Sequence, residues 1–395
     1  MSRPIPKLTE MMAALVASPS VSSTQAELDQ GNRAVIDLLA GWLEALGFAV
    51  DIQPLPGADH KANLIATLGE GDGGLVLAGH TDTVPCDSAL WQSDPYQLSE
   101  RDGRLYGLGV ADMKAFIALA IEAAYQYAAH TLQRPLTILA TADEESSMAG
   151  AKALHQAGRL RADYAVIGEP TSLYPVYMHK GVMMEAVTVY GQAGHSSDPG
   201  LGINALEIMH RVIAALIRWR DELQAEHRNE AFNIPVPTLN LGRIHGGDNP
   251  NRICPQCELS FDIRTLPGMD QEALRRAFRS RIDAVIKDTG AQVAYRSLSS
   301  GTPPLCTDAR SPLVHTAEEL TGHQAQAVGF ATEGPYLQQL GMDTVILGPG
   351  DIDQAHHSDE SLPVARLQPT QAILEGFIQR FCLQSTTKPS ENTLA

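Results

Sequence analysis

Apolar positions along the chain follow two rhythms. Near the amino terminus they recur at helical spacing, over residues 5–17 and then 26–46, where Val35, Leu38, Leu39, Trp42, Leu43 and Leu46 share one face and Gly47 is a stop signal. Farther on they gather into short continuous runs: Leu75-Val76-Leu77-Ala78, Leu136-Thr137-Ile138-Leu139-Ala140, Tyr164-Ala165-Val166-Ile167 and Thr344-Val345-Ile346-Leu347. Helical stretches such as 113–129 and 148–156 lie close to them. Apolar strands alternating with helices predict an α/β fold, with a large, mostly parallel sheet covered on both faces.

Between the third run and the fourth the texture changes. Residues 184–190 alternate like a strand, 204–226 form a long amphipathic helix, 238–244 and 258–264 alternate again, 271–287 make a second helix and 292–297 a last strand. This β-α-β-β-α-β order is the ferredoxin-like pattern. The expected division is a large domain from residues 1–180 and 299–383, an inserted domain at 181–298, and a polar tail, 384–395, that frays.

Composition narrows the class. A chain of 395 residues, 44% hydrophobic and 19% charged, is long enough for a large core. No apolar run approaches the roughly 20 residues that cross a bilayer, and the start, MSRPIPKLTE, lacks a signal-peptide core, so a cytoplasmic location is the expectation. Five cysteines argue against a disulfide framework. Cys254-x-x-Cys257 has no second pair to complete a zinc knuckle and reads as two ordinary thiols. The formal charge of −17 leaves no basic surplus for a nucleic-acid partner.

The chemistry lies just past the apolar runs. The first is followed by His80 and Asp82, the second by Asp143, Glu144 and Glu145, the third by Glu169, and the fourth by a glycine loop that leads to His356 and His357. In open α/β sheets the carboxyl ends of the strands line the ligand crevice. Asp112 stands at the start of the 113–129 helix. Taken singly, Asp112 reads as an N-cap, Asp143 as a turn acid and His80 as a hydrogen-bonded histidine. Together, so many carboxylates in one crevice would be costly without a cation among them. Mixed imidazole and carboxylate donors suit zinc, or cobalt or manganese, better than magnesium or calcium, and two ions sharing a bridging carboxylate would relieve the crowding.

These residues fall in ordered motifs: Gly79-His80-Thr81-Asp82-Thr83-Val84-Pro85, the 107–114 segment GLGVADMK, Ala142-Asp143-Glu144-Glu145, Gly168-Glu169-Pro170-Thr171, Gly194-His195-Ser196-Ser197 and Ala355-His356. The set resembles the co-catalytic zinc aminoacylase and carboxypeptidase family, from about the first helix to near Phe381. The resemblance implies that His80 and Glu169 hold one metal, Glu145 and His356 the other, and that Asp112 bridges them. It makes Asp82 the acid that orients His80 and Glu144 the general base. His195 would donate to the oxyanion from the other subunit of a homodimer. Arg264 and Asn251 would hold a substrate carboxylate; without the resemblance, Arg264 reads as a salt-bridge partner of Asp262. His356 is preferred over His357 because it follows Ala355 and precedes Glu360 as the family's histidine does.

The implied reaction is hydrolysis of the amide of a small N-acyl amino acid, N-acetylornithine foremost, with Glu333 the candidate partner for the side-chain ammonium. Succinyl-diaminopimelate, another N-acyl amino acid or a dipeptide keeps the chemistry and changes the substrate. A non-catalytic metal-binding protein is the alternative of another class, and Glu144 argues against it, because a storage site needs no extra carboxylate beside the water.

Overall fold

The computed structural model describes residues 3–384. Apart from Gln384, the tail expected to fray therefore lies outside the described residues. The chain forms two compact units. One runs through Tyr177 and resumes at Thr307–Gln326 and from Thr332 onward; the other comprises Met178–Cys306 and Ala327–Ala331.

In the first unit, the four apolar runs become four neighbouring parallel strands, Leu136–Thr141, Leu75–His80, Tyr164–Ile167 and Asp343–Ile346, in that order across the sheet. Nearly every residue in them is buried, which is why they read as unbroken apolar runs. A hairpin of Ala49–Leu55 and Ala58–Leu68 extends the sheet antiparallel beyond Leu136–Thr141. Helix Lys114–Tyr127 is buried almost throughout and packs against Leu8–Val16 and Leu367–Ile378.

The second amino-terminal helix is shorter than its periodicity predicts, Arg33–Ala45 in place of 26–46. A turn at residues 24–28 and tertiary contacts keep the lead-in out of the helix. The Asn32 amide donates to the Ala62 carbonyl at 2.8 Å and to Thr81 Oγ1 at 2.7 Å, and a side chain at Gly31 would strike the His60 carbonyl.

The second unit is a sheet in the order Thr238–Gly246, Gln256–Thr265, Gly181–Tyr190, Gln292–Ser297, antiparallel throughout, with helices Ala205–Glu226 and Gln271–Ile286. Inward-facing Leu259, Phe261 and Ile263 alternate with partly exposed Ser260, Asp262 and Arg264. Glu185 is fully buried and accepts from Arg275 Nε at 2.7 Å and from Ser297 Oγ at 2.8 Å. Removing only one member of such a pair strands a charge. Arg275→Met should therefore cost about 3–5 kcal/mol of stability in the second unit, and Arg275→Met with Glu185→Leu should recover most of it. Thermal unfolding of the three proteins checks this; equal transitions for the single variant and the parent would contradict it.

Candidate metal centre and active site

The four parallel strands end together, and the residues just past their carboxyl ends carry the site. His80 closes its strand opposite Thr141. Glu169 follows Tyr164–Ile167 after Gly168, where any side chain would run into the Phe116 ring. That glycine lets the buried helix pack directly beneath the Glu169 loop. Beyond Thr141 the chain turns at Asp143, whose φ of 58° is a left-handed conformation that aspartate tolerates. The Asp143 carboxylate accepts from Ser22 Oγ at 3.0 Å and from the buried Lys61 ammonium at 2.7 Å, and Lys61 also donates to Asp29 at 2.7 Å. Asp143 thus faces the protein, away from the role of its two acidic neighbours.

Glu144 and Glu145 are fixed through their main chain. Asp82 Oδ1 accepts the Glu144 N–H at 3.2 Å and Oδ2 the Glu145 N–H at 3.1 Å. His80 Nδ1 contacts the Asp82 main-chain carbonyl at 2.9 Å, with the carboxylate at 3.7 Å. The main-chain carbonyl of Asp82 is thus nearer to His80 than its carboxylate, whose oxygens also clamp the two-acid turn.

Asp112 does not cap the following helix, which begins at Lys114 after Met113. Its oxygens look in two directions instead: Oδ1 lies 3.0 Å from His80 Nε2 and Oδ2 lies 3.6 Å from His356 Nε2. Glu169 Oε1 stands 4.0 Å from His80 Nε2, and Glu145 Oε2 stands 2.9 Å from His356 Nε2. His356, in a left-handed conformation with φ of 62°, is the histidine whose Nε2 reaches the cluster, although it and His357 are both exposed. Two sets of donor atoms lie within 4.8 Å of one another, His80 with Glu144 and Glu169, and His80 with Asp112 and Glu145.

Glu333 is an interior acid, only 1% exposed; its Oε2 accepts from Thr141 Oγ1 at 2.7 Å and its Oε1 is buried without a hydrogen-bond partner. Burial raises its pKa to about 7. Sequence reasoning makes it a partner for a substrate ammonium; the structure shows it enclosed, within electrostatic reach of Glu169 and His80.

His195, Asn251 and Arg264 belong to the second unit. The His195 loop is laced to residues 251–253: Ser196 N–H donates to the Asn251 carbonyl at 3.2 Å and Ile253 N–H to the Gly194 carbonyl at 2.9 Å. His195 Nδ1 accepts the Ser197 main-chain N–H at 3.1 Å, so the ring proton belongs on Nε2 and makes that exposed nitrogen a donor. Arg264 Nε donates to Asp262 at 3.0 Å. Gln256 and Arg264 are separated by about 26 Å of strand at a rise of about 3.3 Å per residue. Arg264 is thus at one end of the sheet, and Asn251 and His195 are at the other.

Comparison with known proteins decides the family. The profile of peptidase family M20/M25/M40 matches residues 76–380. The chain belongs to peptidase family M20/M25/M40. Five bacterial relatives named acetylornithine deacetylase are 45–47% identical to it. That from Pasteurella multocida (strain Pm70) is 47% identical over 96% of this chain and 99% of its own length. Among solved structures, the M20 family metallo-carboxypeptidase Sso-CP2 of Sulfolobus solfataricus superposes with a TM-score of 0.75 at 16% identity, over 95% of this chain and 99% of that one. The Bacillus subtilis YXEP protein, described as a dinuclear metal binding peptidase from the M20 family, gives 0.66 at 18%, over 95% and 97%.

M20 enzymes are metal-dependent hydrolases, and the donor set fits metal on its own chemistry. Glu169 Oε1 is buried, faces an imidazole nitrogen and has no hydrogen-bond partner, a position a cation would satisfy. Burial first, then the charges of Glu169, Glu145 and Asp82, pushes the Glu144 carboxyl well above its ordinary pKa, with His80 opposing. Burial and the Asp112 charge do the same to Glu169. Against burial, which lowers it, Asp112, Glu169 and Asp82 hold His80 well above the usual histidine value.

Two further buried charges lie beside the cluster. Lys114 is buried, donates to the carbonyls of Leu15 at 3.0 Å and Ser18 at 2.9 Å, and is lowered to about 8 by burial against the pull of Asp82 and Glu360. Glu360 is buried against the loop that carries Asp112 and is raised to about 8 by burial and the Asp112 charge. Their partners are main-chain groups, which leave no mark in sequence.

The raised carboxyl pKa values set the sign of a pH effect. Glu144, Glu145 and Glu169 hold protons to higher pH than free glutamates do, and a divalent cation favours their ionised forms. Metal binding should release protons, and apparent affinity should climb as pH rises through this range. Calorimetric titration in buffers of different ionisation enthalpy measures the release; identical heats in all buffers would contradict it.

Proposed function

We propose that the protein hydrolyses N-acetyl-L-ornithine to L-ornithine and acetate, in the cytoplasm, as a step of arginine biosynthesis. The observation that carries this reading is the near-full-length similarity to relatives of that name, together with the presence in one cluster of His80, Asp112, Glu145, Glu169 and His356. Absence of any disulfide among the described residues fits a reducing compartment, and no described helix is long and apolar enough to cross a membrane.

His80 and Glu169 would hold one divalent ion and Glu145 and His356 a second, with Asp112 between them, one oxygen toward each histidine. Zinc suits these donors best, and cobalt is an effective substitute. When bound, such ions supply positive charge that polarises the amide carbonyl and acidifies water.

Glu144 takes the proton from the water that attacks the acetyl carbon, then delivers it to the nitrogen as the C–N bond breaks, leaving acetate and the free amine. A carboxyl raised by burial and neighbouring acids is well matched to carrying that proton near neutral pH. His195 donates from Nε2 to the developing oxyanion. Arg264, as a planar fork, and Asn251 hold the substrate's α-carboxylate.

Arg264 and His195 lie at opposite ends of one sheet, so one chain cannot bring both to one small substrate. That separation supports a homodimer in which His195 and Asn251 complete the partner's site. Accordingly, His195→Ala and Arg264→Ala should each remove activity, and hybrids made by mixing the two should regain part of it, since one of their two sites is intact. Hybrids as inactive as their parents would contradict the shared site.

Glu144→Gln should reduce kcat by at least about 10²-fold while both ions remain bound by metal analysis. Loss of metal in that variant would instead make Glu144 a ligand, the alternative its closeness to His80 and Glu169 offers. Specificity is read from kcat/KM for acetylornithine against acetylcitrulline, acetylmethionine, succinyl-diaminopimelate and a dipeptide. The assignment fails if acetylornithine is no better than these.

A further inference from the structure

The segment that carries His356 returns to the loop that carries Asp112. Strand Ser361–Pro363 pairs antiparallel with Arg104–Tyr106, Ser361 opposite Tyr106. Just before that strand stands Glu360, 3% exposed. Its main-chain carbonyl accepts the Gly107 N–H at 3.2 Å. Its side chain carries the contact on into the loop: Oε2 accepts the Gly109 N–H at 2.7 Å, and Oε1 accepts those of Ala111 at 2.7 Å and Asp112 at 3.0 Å. Four N–H groups of one loop thus end on one residue.

We infer that Glu360 is a positioning residue that clamps the Asp112 loop to the His356 segment and so sets the separation of the two halves of the metal centre. The inference rests on Asp112 and His356 being ligands. Asp112 is where the halves meet, and its own N–H is one of those held. A displacement of the loop by even 1 Å would alter the spacing of Asp112 to His80 and to His356 together. Both side-chain oxygens of Glu360 act as acceptors, and between them they take all three N–H groups. Glutamine keeps the shape but turns an NH₂ donor toward one or more of those N–H groups. Glutamate is therefore matched to this position by its two acceptor oxygens, and not by size alone.

Glu360→Gln in the full-length protein tests this by calorimetric titration with Co²⁺ and by the visible absorption of the bound ion. The expected result is affinity lowered about 10- to 100-fold for at least one ion, with an altered Co²⁺ spectrum. Wild-type affinity for two ions with an unchanged spectrum would overturn the clamp. A role confined to stability would lower the unfolding temperature and leave the spectrum alone, and that outcome also overturns it. Amide hydrogen exchange on the unaltered, metal-free protein covers the case of a variant that fails to fold. The amides of Gly109, Ala111 and Asp112 should be protected there; exchange at open-loop rates would refute the clamp. Should the unaltered protein bind fewer than two ions, the two-ion reading falls separately, and the exchange result alone decides Glu360.

Discussion

Mutual repulsion of buried carboxylates is the constraint on which this structure turns. Asp82, Asp112, Glu144, Glu145 and Glu169 crowd the ends of four parallel strands, with Glu333 and Glu360 beneath them. Two unit charges 4 Å apart repel by about 4 kcal/mol at an effective dielectric of 20. The histidines and the buried Lys114 offset only part of this, and the rest appears as carboxyl groups pushed up in pKa. Cations among the outer acids remove the repulsion at its source.

The acids divide their work in two layers. Those of the outer layer face imidazole nitrogens or stand beside them. Those of the inner layer hold main chain: Asp82 grips the turn of Glu144 and Glu145, and Glu360 grips the loop of Asp112. Negative charge thus both crowds the site and fixes the backbone that carries its acids. Rigid placement by hydrogen bonds of this kind is what lets a site hold catalytic groups within a fraction of an ångström.

What could be read from the sequence follows from what leaves a sequence mark. The parallel strands are legible because burial on both faces makes them continuously apolar, and Glu144, Glu145 and Glu169 because each lies just past such a run. The hairpin of Ala49–Leu55 and Ala58–Leu68 was not, since its first strand is half exposed and mixes residue types. Helix Arg33–Ala45 was drawn too long because Asn32 is held by groups far along the chain. The hold of Asp82 on the Glu144 turn, of Glu360 on the Asp112 loop and of Lys114 on two carbonyls leaves no sequence mark, because a main-chain N–H or carbonyl is the same at every position. That Glu333 is interior is fixed by packing alone.

Anomalous diffraction from crystals grown with zinc tests the central claim most directly, since scattering at the zinc edge locates each ion without assuming its ligands. Two peaks are predicted, one beside His80 and Glu169 and one beside His356 and Glu145, with Asp112 between them and Glu144 bound to neither. A single peak, or a peak ligated by Glu144, would contradict the account.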